Sequence, residues 1–167
     1  MSGFRLYRGE ELTIEQCRAL VSHPKNRDSE DCPSPEELFA KLKKHSNVQT
    51  FFIFYDNSSL VAHAMAGKYD YEGTIMTIDD FWSSDFALNL KFYRSTQRTP
   101  GYEIFLKCLD WGVKAGFDKV SQPLVVGMQG KRAWEKLISS GLLTPVSANM
   151  RFQCGITKTL PELLDLS

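Results

Sequence analysis

Three apolar runs follow one another between residues 50 and 82, joined by links too short to hold a helix. Thr50–Tyr55 is almost wholly apolar. Asp56-Asn57-Ser58-Ser59 supplies hairpin-turn residues, Leu60–Gly67 is the second run, and Thr74–Trp82 the third, after a turn at Asp70–Gly73. Strands joined so closely pair antiparallel, because a parallel pair needs a long crossover. An antiparallel meander therefore stands at the centre of whatever this chain folds into.

The flanks add helices on both sides. Phe4-Arg5-Leu6-Tyr7 alternates as a short strand. Thr13 with Gln16 three residues on reads as a capping box, followed by Ile14, Cys17 and Val21 at helical spacing, with Pro24 as the stop. Residues 24–34 read as a polar surface loop. Ser34 is an N-cap signal with Pro35 at the first helical position, and Leu38, Phe39 and Leu42 form a stripe. Residues 83–100 read as a polar segment with aromatic insertions. Pro100–Ala115 reads as a helix burying Phe105, Cys108, Leu109 and Gly112, stopped by Gly116. Lys119–Val126 is a strand candidate bent at Pro123, Lys131–Ser140 a helix stopped by Gly141, and Val146–Cys154 a last long strand. Thr159-Leu160-Pro161-Glu162 is a second cap-like signal in an apolar tail. The expected order is β-α-α-β-β-β-α-β-α-β, an α/β (α+β) architecture.

At 167 residues the chain is one domain's length, spanning 1–167 with a core over about 4–154 and a tail over 155–167. Twenty basic residues balance twenty acidic ones, so no nucleic-acid footprint is expected. Residues 1–10 lack a signal-peptide core and no run of about twenty apolar residues occurs, so a cytoplasmic protein is expected. Cys17, Cys32, Cys108 and Cys154 form no C-x-x-C pair, and Cys17 and Cys108 fall on apolar helix sides as buried thiols.

The element order resembles that of the GNAT superfamily of acyl-CoA-dependent N-acyltransferases, and implies a mostly antiparallel central sheet flanked by helices. Gly101-Tyr102-Glu103-Ile104-Phe105-Leu106 leading to Trp111, Gly112 and Gly116 is similar to the family's cofactor helix. Ala133-Trp134-Glu135-Lys136-Leu137 through Gly141-Leu142 keeps the spacing of a later family helix. Asp79-Asp80-Phe81-Trp82 is similar to the fourth strand of phage-type members, and Tyr93-Arg94 to the pair before the loop.

The resemblance implies acetyl-CoA as cofactor, an amine-bearing substrate, and pyrophosphate held by backbone N–H groups at a helix start. That start holds Arg94, Gln97, Arg98, Thr99, Gly101 and Tyr102, with Phe81 and Trp82 offering strand N–H groups to an oxyanion. The loop departs from the family's: Thr96 stands at the Gln/Arg position, Thr99 at the first glycine, and Pro100 removes a donor. One lost donor costs about 1–3 kcal/mol, about ten- to a hundredfold in affinity; Gln97, Arg98 and Arg94 could compensate with side-chain contacts. The family's tyrosine, which protonates the leaving thiolate, corresponds to Leu137, and an asparagine to Gly130.

Asp79 or Asp80 is the candidate base, directly or through water, and strand alternation sends the two to opposite faces; either could instead be solvated or cap a strand end. His63 is the other candidate base, or a packed imidazole; His23 and His45 fit helix-end contacts. Trp111, Phe105 and Trp134 are at core spacing. A catalytically silent member, such as a bacteriophage protein using the tail Leu160–Leu166 to dock a protein partner, is the alternative.

Overall fold

The computed structural model describes residues 3–23, 32–44, 48–69, 74–84, 86–122, 128–157, 159–161, 163–164 and 166. β1 (Phe4–Arg8), β2 (Val48–Tyr55), β3 (Ser59–Lys68) and β4 (Ile75–Ser83) lie side by side, each antiparallel to the next. The β2–β3 turn is tight because Asp56 and Asn57 adopt φ of 50° and 62°. That left-handed pair matches the strand twist, and Asp and Asn tolerate it best after glycine.

Short helices cover one face. α1 (Ile14–Ser22) starts at Thr13, whose hydroxyl accepts the Gln16 N–H while the Gln16 side chain accepts the Thr13 N–H. α2 (Pro35–Lys43) starts at Ser34, whose hydroxyl accepts the Glu37 N–H. Leu12, Cys17, Leu20, Phe52, Phe54 and Leu60 form the core there. Ile14 and Val21, expected to be buried beside Cys17, are half-buried; Gln16 and Leu20 take those places.

The opposite face packs on α4 (Pro100–Lys114), preceded by α3 (Phe86–Thr96). Pro100 to Leu106, Cys108, Leu109 and Gly112 are all buried, so α4 is a core helix covered nearly all round. Gly116, at φ 96°, ends its last turn. A Cβ on Gly112 would stand 2.0 Å from Met76 Sδ, inside the packed core. Gly112→Val is expected to cost about 1–3 kcal/mol, read as a lower urea midpoint at unchanged slope.

The chain then forms β5 (Lys119–Ser121), α5 (Met128–Ser139), β6 (Leu143–Pro145) and β7 (Gln153–Ile156). The sheet has seven strands in the order β1-β2-β3-β4-β5-β7-β6, with β4–β5 its one parallel pairing among the described residues. The mixed, mostly antiparallel sheet flanked by helices is the architecture expected.

Two elements differ from the sequence reading. Residues 83–100 hold α3. Its apolar positions follow no helical stripe: Phe92 is buried while Phe86 is 77% exposed. The Asn89 side chain secures it, accepting from the Ser83 and Ser84 hydroxyls and donating to the Ser84 carbonyl. The expected strand Val146–Cys154 is instead a hairpin, Leu143 facing Ile156. Ser147 and Met150 carbonyls accept N–H groups three residues on, and Val146, Met150 and Phe152 are exposed. Apolar alternation there marks surface, not a strand. Pro24 and most of its loop, His45, the turn at 70–73 and the bend at Pro123 lie outside the described residues.

Leu160, Leu163 and Leu164 pack on the domain's own core and Leu166 is buried in it; Thr159 to Pro161 form no helix. No helix among the described residues is long and apolar enough to cross a membrane.

Candidate active site

The paired carboxylates sit on a kink in β4. The β3–β4 register moves from His63 facing Trp82 to Met65 facing Asp79, leaving one extra residue on β4. Asp80 absorbs it at φ 50°. Such a bulge reverses the alternation beyond it. Met76, Ile78 and Phe81 consequently join the core beside α4, while Trp82 joins the core under α1 and α2.

The bulge overturns the expectation that the two carboxylates take opposite faces. Asp79 shares the side of Thr77, whose hydroxyl donates to it at 2.8 Å. Asp80 is on that side too, its carboxylate 3.9 Å from His63 Nδ1. The His63 ring is 5% exposed, lies nearly parallel to Trp82 at 6.2 Å, and stands 5.7 Å from Phe52. Trp82 in turn meets the edge of His23 at 4.6 Å. His63 and Asp80 open on a cavity of about 340 Å³ between α1, α2 and the sheet, with Cys32 in its wall.

The second group of candidates gathers at the start of α4. Thr99 caps the helix, its hydroxyl accepting the Tyr102 N–H. The N–H groups of Thr99 and Gly101 have no acceptor among the described residues. A Cβ on Gly101 would lie 3.0 Å from Phe81 Cζ, so this glycine lets the Phe81 ring onto the helix. Gln97 ends α3 at φ 62°, and its side-chain amide reaches the Arg94 carbonyl at 3.4 Å. Arg94 is exposed. Tyr102 is buried, with Lys136 Nζ 4.4 Å from its ring centre.

Arg98 stands apart from the rest. Its guanidinium pairs at 2.8 Å with Glu103, which is 1% exposed and also accepts the Leu164 N–H at 3.1 Å. An arginine expected to meet phosphate thus holds a buried carboxylate and, through it, the C-terminal tail. Glu103 was not among the candidates, although an acid inside the apolar run Tyr102–Leu106 was a visible signal.

β4 and β5 pair over Ile75–Thr77 and Lys119–Ser121. Past Thr77, no β4 residue has a described partner on that side, and the bulge and the start of α4 lie at this opening. Leu137 is fully buried where the resemblance has a tyrosine, and Gly130 is buried as well. Burial pushes the Cys154 thiol up to about 11 and the Cys108 thiol still higher, so both hold their protons near neutrality and are poor nucleophiles.

No family model and no curated protein sequence matches this chain. Solved structures do. It superposes on a spermidine N-acetyltransferase from Vibrio cholerae with a TM-score of 0.54 at 12% identity, over 93% of this chain and 92% of that one. The chain has the GNAT fold. An aminoglycoside-type enzyme, AAC(6')-Iy in complex with the bisubstrate analogue CoA-S-monomethyl-acetylneamine, matches with a TM-score of 0.52 at 12% identity, over 83% of this chain and 89% of that one. A cAMP-binding acyltransferase from Mycobacterium smegmatis matches with a TM-score of 0.55 at 12% identity; the match covers 95% of this chain but 46% of the mycobacterial one.

Proposed function

We propose that this protein is an acyl-CoA-dependent N-acetyltransferase that moves an acetyl group to an amine. The observation that carries the reading is the Asp80–His63 pair on the β4 bulge, opening on a cavity on one side and standing near the α4 start on the other. Free alkylamines are protonated at neutral pH, with a pKa near about 10. The attacking nitrogen must therefore lose a proton. Asp80 receives it, directly or through water, with His63 close enough to share the charge. The C–N bond then forms as the C–S bond breaks, and a proton goes to the departing thiolate. With Leu137 buried in the tyrosine's place, solvent supplies that last proton.

Acetyl-CoA supplies the acetyl group as a thioester. The open N–H groups of Thr99 and Gly101 and the α4 dipole suit its pyrophosphate. Arg94 and Gln97 are placed to add side-chain contacts. Backbone N–H groups of Phe81 and Trp82 are the candidate oxyanion donors.

The test is the melting temperature with millimolar acetyl-CoA, with ADP as control. A rise of about 5–10 °C is expected at a hundredfold excess over Kd. No CoA-specific rise would sink the reading.

Such a result would select a second one, a silent GNAT-fold binding module, for example in a bacteriophage. The buried Leu137 and the Arg98–Glu103 pair favour it. The tail would then be the first place to seek a protein partner, by truncation after Thr157.

A further inference from the structure

The cavity beside Asp80 has a chemistry of its own. Leu20, Val21, Leu38, Leu42, Phe52 and Met65 supply most of its wall, from α1, α2, β2 and β3. Its volume of about 340 Å³ lies at the small end for ligand sites. Asp80 is the single carboxylate among the described lining residues, and its side chain is 61% exposed. Lys41, the other charged residue of the described lining, also borders an adjoining cavity and is exposed.

One acid at one edge of a hydrocarbon wall suits one ammonium attached to an apolar body. A polyamine or aminoglycoside would press further ammonium groups against leucines and toward the Lys41 cation, losing water without gaining partners. We infer that this site takes a primary amine carried on a compact apolar body, about one aromatic ring or a short alkyl chain in size. The inference rests on the acetyltransferase reading for its role as acceptor, but the binding it states does not require transfer. The apolar body lies among the wall residues and the ammonium meets Asp80 beside His63, where the amine would lose its proton.

The experiment measures binding to the full chain without acetyl-CoA, by titration calorimetry, using 2-phenylethylamine, spermidine and 2-phenylethanol. Phenylethylamine is expected to bind at least about tenfold more tightly than either. Asp80→Asn, which keeps a residue tolerant of the left-handed backbone, is expected to weaken phenylethylamine about ten- to a hundredfold while leaving phenylethanol unchanged. A second readout needs no variant: phenylethylamine should slow alkylation of Cys32, a half-exposed wall residue. Spermidine binding as tightly as phenylethylamine, or phenylethylamine binding that leaves both Cys32 alkylation and the Asp80→Asn affinity unchanged, overturns the inference. Binding that behaves as expected, with no acetyl transfer on adding acetyl-CoA, supports the pocket's chemistry and sinks the acetyltransferase reading instead.

Discussion

Arg98→Ala is expected to destabilise this protein by about 3–5 kcal/mol, more than Glu103→Ala. The order follows from unequal burial. Removing the guanidinium strands a carboxylate whose side chain is 1% exposed, keeping one remaining described hydrogen bond, from the Leu164 N–H. Removing the carboxylate instead leaves an arginine that is 23% exposed and can turn to water. It also frees the Leu164 N–H, so the tail leucines should loosen and the protein should be cut there sooner by protease. Urea denaturation of Arg98→Ala, Glu103→Ala and the double variant measures both losses and their coupling. If Glu103→Ala proves the costlier, or if both fall below about 1 kcal/mol as exposed pairs do, the pair is not the buried clamp described. Acetyl-CoA stabilisation of a folded Glu103→Ala variant adds a further readout. A larger shift than wild type would mean that the pair withholds Arg98 from phosphate.

The second large effect concerns chemistry. Asp80→Asn is expected to lower kcat/KM for acetyl transfer by about 10²–10⁴, with little change in the acetyl-CoA-induced rise in melting temperature. Asparagine keeps the size and the backbone tolerance but cannot accept the amine's proton. Asp79→Asn is expected to lower the rate less than about tenfold, because Asp79 is turned to the Thr77 hydroxyl and does not line the cavity. Steady-state kinetics on an amine that passes the binding test decides. Equal losses in the two variants would mean that the bulge positions the carboxylates for some other reason, and full activity in Asp80→Asn would remove Asp80 from the mechanism.

The two classes of candidate were legible to different degrees. The carboxylates, the aromatic pair after them and the residues before α4 were all readable from local pattern, and the structure gathers them into two neighbouring groups. The importance of His63 was not readable, because an imidazole on a central strand looks the same in sequence whether it packs in a core or faces a carboxylate from the next strand. Its proximity to Asp80 depends on the bulge. Nothing in Asp79-Asp80-Phe81-Trp82 states which residue will be the extra one; that depends on Phe81 reaching α4 and Trp82 reaching the other core at once.

Turns and helix starts were determined by the sequence itself. Thr13 with Gln16, Ser34 before Pro35, Thr99 before Pro100, and the glycines at 116 and 141 act within four residues of themselves, so local stereochemistry suffices. The meander was determined in the same way, because short links permit only antiparallel pairing. Tertiary structure alone decided α3, the β6–β7 hairpin, the bulge and the Arg98–Glu103–Leu164 clamp. Each depends on groups brought together by folding, such as Phe92 against Phe4 or Glu103 beside a residue 61 positions away. Sequence periodicity records which residues avoid water along one element; it carries no record of which distant element will cover them.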